Sequence, residues 1–393
     1  MNKKMERPRF LNSILILQIS AFMMMFMGAG VCLGQDKNIR ISVDVLNNRT
    51  NDKNNDWLSV GLVDDIIRNL SRIKGLKLVE TKQLKEAGSD PFINFSGLID
   101  ENTAVKNGKM SGVRYLILGS FRIDGQVLAV NYRMIDVETE KVLFDDEVKG
   151  ASSSVLEIEE KAGKGIMSTL NTLIPALRVD KKLFNRAYSE SAHYNYTMGL
   201  TCAVKSDLTA GMECFQKVLA EVPDSGDAYL GQGDIYLRYG NTLMALEKLN
   251  KALSIYFDKG DRYFINWTYY KIAEAYFLKG DYENASKSYL KALDYKVYGD
   301  SRLSSVYSRL SEIARKKAEP GNAVKYAKEA VKESKLRGDK YIEVGMIADL
   351  ARLYRDLGKL GLAKAMFNEA FKIAKEINYP DIDTLYKLAI EQH

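Results

Sequence analysis

Small residues recur in the second half of this chain at fixed offsets, and that recurrence restricts the fold more than any other feature. Gly233 is followed by Ala245 and Ala252, Ala273 by Ala285 and Ala292, Ala323 by Ala330, and Ala351 by Ala363 and Ala370. Gly199, Phe215 and Pro223 hold the matching places of an earlier copy. Aligned on these positions, five units begin near Ala192, Gly226, Asn266, Ser304 and Val344, spaced by 34, 40, 38 and 40 residues. A period of this size means stacked units, because one unit cannot bury its apolar stripe alone. Each unit reads as two amphipathic helices and a tight turn, as in residues 267–279, 280–281 and 282–294. The small residues belong where the two helices cross, since side-chain size at the crossing sets how closely the backbones approach. Tyr236, Tyr276, Tyr289, Tyr354, Phe215 and Phe367 are expected to fill the space beside them.

These units resemble tetratricopeptide repeats (TPRs). The resemblance covers residues 192–380, about five repeats, and implies an all-α solenoid that binds protein or peptide partners and catalyses nothing itself. In that family the first helix of each unit lines a concave surface. Carried over place by place, the partner-binding residues here would be Tyr196, Asp234, Arg238, Trp267, Tyr270, Glu274, Glu312, Arg315, Arg352 and Arg355, with Phe277 equally well placed to pack between helices. Trp, Tyr and Arg are the residue types that contribute most to interface energy. The Lys and Asn set with which some TPR domains clamp a C-terminal carboxylate is not apparent. The longer linkers at 257–265, 296–303 and 335–342 are read as helix extensions that change curvature, or as contact segments.

Residues 36–175 have a different texture. Ile39, Ile41, Val43 and Val45 alternate along a strand at 39–46, and a polar loop leads to an amphipathic helix at 57–73. A short strand at 76–80 and helices at 82–87 and 102–110 follow. Three strands come next, at 113–123, 127–137 and 141–149, with Asp124-Gly125 as a hairpin signal. A helix at 153–173, capped by Ser152 or Ser153, closes the domain. The order is β-α-β-α-α-β-β-β-α, an α+β domain, and the fold class of the whole is this domain followed by an all-α solenoid. A linker helix at 176–191 joins them, and residues 381–393 would form a capping helix. This order is similar to the TolB amino-terminal-like domain shared with the CsgG group of curli-secretion lipoproteins. The resemblance rests on the phrases that start at Gly61, Leu76, Gly112 and Val130. Glu140 stands where that family usually has a turn glycine. The resemblance implies docking on an envelope partner, or self-association.

Residues 1–34 begin with Lys3, Lys4, Arg7 and Arg9 against Glu6, continue with an apolar run at 14–27, and end in small residues. That is the build of a secretory signal. Three outcomes stay open: cleavage, lipidation at Cys32, and retention as a membrane anchor, this segment being the chain's one contact with a membrane. Each places the remainder outside the cytoplasm, in a bacterial periplasm or envelope. The formal charge of +6 owes +3 to this segment, and so small a remainder excludes a nucleic-acid partner. Cys202 and Cys214 would pair in an oxidising compartment or serve as small apolar fillers.

No nucleophile–base set, phosphate loop or metal-ligand spacing is present in the sequence, and neither catalytic residues, a cofactor nor a metal is expected. Only two His occur, His193 and His393. Asp64-Asp65 are adjacent carboxylates that point in different directions, and Glu157, Glu159 and Glu160 read as a solvated helix face. The function these features favour is a non-enzymatic cell-envelope adaptor. The alternative is a CsgG-like subunit of an outer-membrane secretion complex, which would need longer hairpins than Asp124-Gly125 allows. A cytoplasmic regulatory role is disfavoured by the secretory start.

Overall fold

The computed structural model describes residues 39–79 (apart from 45, 72 and 74), 105, 108–109, 112–174, 188–296 and 302–377, together with 379, 382 and 387. The expectations for residues 1–34 and 82–87, most of 102–110 and of the linker helix, and nearly all of the capping helix lie outside the described residues. A strand-containing region with a mixed sheet comes first and a helical solenoid follows, the fold class read from the sequence.

The first region places β1 (Ile39–Val43), β2 (Asn47–Asn48), β3 (Leu76–Leu78), β4 (Tyr115–Asp124), β5 (Val127–Asp136) and β6 (Lys141–Ala151) in one sheet ordered β3-β1-β4-β5-β6, with β2 beside β4. Pairings of β1 with β3 and β4, and of β2 with β4, are parallel, whereas β4-β5-β6 is an antiparallel meander. The expected strand at 39–46 ends at Val43, and before the short β2 the Leu46 carbonyl accepts the Ser59 hydroxyl at 2.7 Å. At the β5–β6 turn Asp136 Oδ1 accepts the backbone N–H groups of Glu138 (3.0 Å) and Thr139 (3.1 Å). Glu140 follows with φ +57°, a left-handed backbone that suits glycine better than glutamate.

Helices α1 (Asp56–Leu70) and α2 (Val155–Leu173) cover one face of this sheet. Leu62, Ile66 and Leu70 meet Ile158, Ile166 and Leu170 over Ile117, Phe121 and Tyr132. The start of α2 corrects the sequence reading. Its cap residue is Ser154, not Ser152 or Ser153, and Ser154 makes no side-chain capping bond. Instead the Leu156 amide donates to both carboxylate oxygens of Glu190, at 3.2 and 3.3 Å. Glu190 opens the first solenoid helix, so the solenoid supplies the negative charge that a helix N-terminus favours.

The solenoid contains, among the described residues, five helix pairs: α3 (Glu190–Val204) with α4 (Leu208–Glu221), α5 (Gly226–Arg238) with α6 (Thr242–Lys259), α7 (Arg262–Leu278) with α8 (Tyr282–Asp294), α9 (Leu303–Lys316) with α10 (Pro320–Arg337), and α11 (Lys340–Asp356) with α12 (Leu360–Glu376). Longer helices account for the stretched spacing: α6, α7, α10 and α11 have 17 or 18 residues, against 13 to 15 in α3, α4 and α5. Ala245, Ala252, Ala273, Ala285 and Ala292 are fully buried at crossings. A Cβ added at Gly199 would lie 2.7 Å from the Phe215 ring, and one at Gly233 2.6 Å from Leu249. Cys202 and Cys214 are free, half-buried thiols that hydrogen-bond each other, and burial pushes both upward in pKa. No helix among the described residues is long and apolar enough to cross a membrane.

The α+β region and the solenoid form one compact unit and meet along α1, α2 and α3. Trp57 packs edge-on against Tyr194 at 4.9 Å, and Asp56 pairs with Lys205 at 2.9 Å. Farther along the chain, the turn between α10 and α11 returns to the sheet. Lys77 Nζ reaches the Leu336 carbonyl at 3.5 Å, and a Cβ at Gly112 would lie 2.5 Å from the Gly338 carbonyl oxygen. The solenoid thus touches the first region near both of its ends.

Glu140→Gly is expected to stabilise the protein by about 0.5–1 kcal/mol, the left-handed strain outweighing the loss of an exposed ion pair to Lys109. A urea midpoint that stays level or falls would refute this account of the turn.

Candidate partner-binding groove

Nothing in the amphipathic pattern of α1 announces that it is buried on two sides. Its apolar side faces the sheet, and its opposite side carries Gly61, Asp64, Asp65 and Arg68 into the solenoid. Arg68 is 8% exposed. Its Nη1 donates to Asp227 Oδ1 at 3.1 Å and its Nη2 to the Tyr196 hydroxyl at 3.3 Å. Asp64, one helical turn back, lies 3.5 Å from Nη2. The guanidinium also stands 4.2 Å above the Phe264 ring, which stacks on Tyr256, and the Tyr256 hydroxyl donates to Asp227 at 2.5 Å. Burial alone would lower the Arg68 pKa, but Asp227 and Asp64, with Tyr196 and Tyr256, reverse that and hold it above its usual value. The cation is therefore permanent, and a charge buried this deeply needs its partners.

The residues expected on the concave surface fall into three sets. Tyr196, Asp234, Arg238 and Trp267 line a small cavity of about 40 Å³ with Asp227 and Phe264, the residues on which Arg68 rests. Within it Arg238 Nε binds Asp234 at 2.9 Å and its Nη1 binds the Ala203 carbonyl at 2.8 Å. Trp267 is buried, with the Arg302 guanidinium 4.1 Å above its ring and the Lys271 ammonium 5.3 Å away. Tyr270 and Glu274 form the second set. The Tyr289 hydroxyl donates to Glu274, which Arg309 also meets at 3.2 and 3.3 Å, and burial pushes the Tyr270 phenol up to about 12. Phe277 lies beneath the same arginine, 4.8 Å from its guanidinium, and packs edge-on against Tyr282.

The third set is open. Glu312, Arg315 and Arg352 line a cavity of about 180 Å³ between α9, α10 and α11, together with Asp349, Met346 and Leu353. Arg352 pairs with Asp349 at 2.7 Å, Arg315 with Asp356 at 3.1 Å, and Glu312 with Arg309 at 3.0 Å. Arg355 is exposed, 3.6 Å from Asp356 and outside the cavity lining. The alanines Ala327 and Ala330 form its floor, so the cavity combines an apolar base with charged walls.

Several residues that make this arrangement escaped the sequence reading. Arg68 and Asp227 were not singled out, and their pairing joins positions far apart in the chain. Glu159 does not lie on a solvated face, as expected, but is 5% exposed, with the His193 ring nitrogen 3.0 Å from its Oε1. Its neighbours behave as read, Glu157 bonding Lys161 and Glu160 bonding Lys164 at the surface. Asp64 and Asp65 do diverge, Asp64 toward Arg68 and Asp65 toward Glu159 and His193. The sequence signal for Glu159 was its spacing from Val155, Ile158 and Ala162, which puts it on the margin of the buried stripe.

The sequence model of the tetratricopeptide repeat matches residues 268–296 and 345–377, in the third and fifth helix pairs. These two helix pairs are tetratricopeptide repeats. Proteins with TPR-like repeats generally mediate protein–protein interactions. No curated protein matches the chain. Similar solved structures include the apo form of the quorum sensor NprR from B. thuringiensis, 19% identical, covering 60% of this chain and 67% of that one with a TM-score of 0.44. BtubC (BKLC) from P. vanneervenii is 16% identical and covers 58% of this chain and 90% of its own, with a TM-score of 0.44. Pseudomonas aeruginosa pilF is 17% identical, with 52% and 91% covered and a TM-score of 0.38. At these identities the likeness is one of fold.

Removing Arg68 should leave Asp227 and Asp64, both largely buried, without the cation that pairs with both. Arg68→Ala is expected to cost about 3–5 kcal/mol in chemical denaturation, and Arg68→Met combined with Asp227→Asn to recover much of it. Equal midpoints for Arg68→Ala and the parent would show that the pair does not hold this junction.

Proposed function

We propose that the protein is a non-enzymatic adaptor of the cell envelope that captures a protein or peptide partner in the groove between its fourth and fifth TPR units. The observation that carries this reading is the division of the concave surface. Over the first three units, Arg68 of the chain's own α1 takes up Tyr196, and Asp234, Arg238, Trp267 and Glu274 are engaged by other residues of the solenoid. Over the last two, Glu312, Arg315, Asp349 and Arg352 surround an open cavity with an apolar floor. Charged walls around an apolar base suit a segment that buries one hydrophobic side chain and places polar groups at the rim.

The envelope assignment rests on residues 1–34, whose basic start, apolar run and small-residue end read as an export signal, with Cys32 as the candidate lipidation site. The TolB-like and CsgG-like reading of the first region rests on its sequence phrases, which the repeat match does not reach, and would give the adaptor its second partner or self-association. Joining two binding surfaces in one chain raises the effective concentration of one partner beside the other. The β4–β5 hairpin closes at once at Gly125 and its strands belong to the domain's own sheet, which does not favour the pore-forming alternative.

A photo-crosslinking residue at Met346 in the full chain, expressed with residues 1–34, should trap one envelope protein. Arg315→Glu combined with Arg352→Glu should reduce that adduct at least ten-fold while fractionation stays unchanged. An adduct indifferent to both charge reversals, or a chain found in the cytoplasm, would defeat the proposal.

A further inference from the structure

The seam between the first region and the solenoid holds a donor set that no motif in the sequence foreshadows. Asp65 of α1, Glu159 of α2 and His193 of α3 each offer one ligand atom, and these atoms all lie within 4.8 Å of one another. Glu159 is 5% exposed, His193 is fully buried, and Asp65 is half-buried. The His193 Nε2 lies 3.0 Å from Oε1 and 2.9 Å from Oε2 of Glu159. Two donors each about 2.1 Å from one ion, seen from it at a right angle, are about 3 Å apart, so this spacing suits shared coordination.

The surroundings fit the same reading. Gly61 forms a wall of the site, and a Cβ there would come within 2.9 Å of Glu159 Oε1 and 3.4 Å of His193 Nε2. Thr197, on the next turn of α3, turns its hydroxyl to the His193 carbonyl at 3.0 Å and presents only its methyl group to Gly61. Imidazole with carboxylates is a mixed nitrogen–oxygen set, which favours first-row divalent ions over calcium or magnesium. Two carboxylates balance a charge of two, and the imidazole would bind in its neutral form.

We propose that Asp65, Glu159 and His193 bind one divalent first-row transition-metal ion, which clips the α+β region to the first solenoid helix. Because the three donors sit on three helices from both parts of the chain, the ion would bind the docked arrangement and stabilise it by mass action.

The test uses the full chain carrying Cys202→Ser and Cys214→Ser, since two adjacent thiols also bind such ions. After chelator treatment, Zn²⁺ and Mn²⁺ are titrated by calorimetry and Co²⁺ is followed by its visible absorption. One equivalent is expected, with affinity at least ten-fold lower in His193→Gln and in Asp65→Asn. Zn²⁺ should raise the melting temperature of the parent and not of either variant. Circular dichroism checks that the variants fold, and Asp65→Asn at its half-buried position decides the matter if His193→Gln does not. No binding by the parent, or binding that Asp65→Asn leaves unchanged, would overturn the proposal.

Discussion

A guanidinium taken out of water has to be surrounded by charge and by hydrogen-bond acceptors, and Arg68 is surrounded by groups from both parts of the chain. Asp64 comes from its own helix, whereas Asp227, Tyr196 and Phe264 come from the first three solenoid units. The side chain cannot leave this box without depriving Asp227 and Asp64 of the cation that pairs with both, and it cannot stay without holding α1 against α3. Much else follows from that contact. Gly61 must lack a side chain where α1 meets Thr197 and His193, and Glu190 can reach over to cap α2 only because the two parts are docked.

Docking also determines which part of a TPR surface is free. A repeat array on its own presents its concave face along its whole length. Here α1 sits at the near end and the Gly338 turn meets the sheet edge at the far side, so the array curls round its own first region. Aromatic and basic residues that would serve as anchors for a partner are engaged internally: Tyr196 by Arg68, Trp267 by Arg302 and Lys271. What stays open is the groove that joins the fourth and fifth units, and its walls are charged.

The repeats were legible because their signal is local and recurs. Gly199, Ala245, Ala273, Ala323 and Ala363 mark helix crossings in the five units, and a pattern repeated several times averages away the ambiguity of any one helix. The sheet was legible for a related reason: alternation in β4, β5 and β6 and the turn chemistry of Asp136 and Gly125 act over a few residues. Misreadings came where a local rule had a distant competitor. Ser152 and Ser153 were reasonable caps by type, but a carboxylate from Glu190, arriving from another domain, takes that role. Glu159 shared its neighbours' charge and so looked solvated, although its place at the edge of the apolar stripe of α2 carries it into the seam.

By itself the sequence determined the two architectures, their order and the helix pairing, because periodicity and turn preferences are carried by residues near one another in the chain. The concave residues came from the family resemblance as an expectation. Only the tertiary structure decided which of those residues are covered, which face of α1 is a second buried face, and that Asp65, Glu159 and His193 converge. Each of these depends on charges brought together from separate elements of the chain, where the cost of burial selects partners that no local pattern encodes.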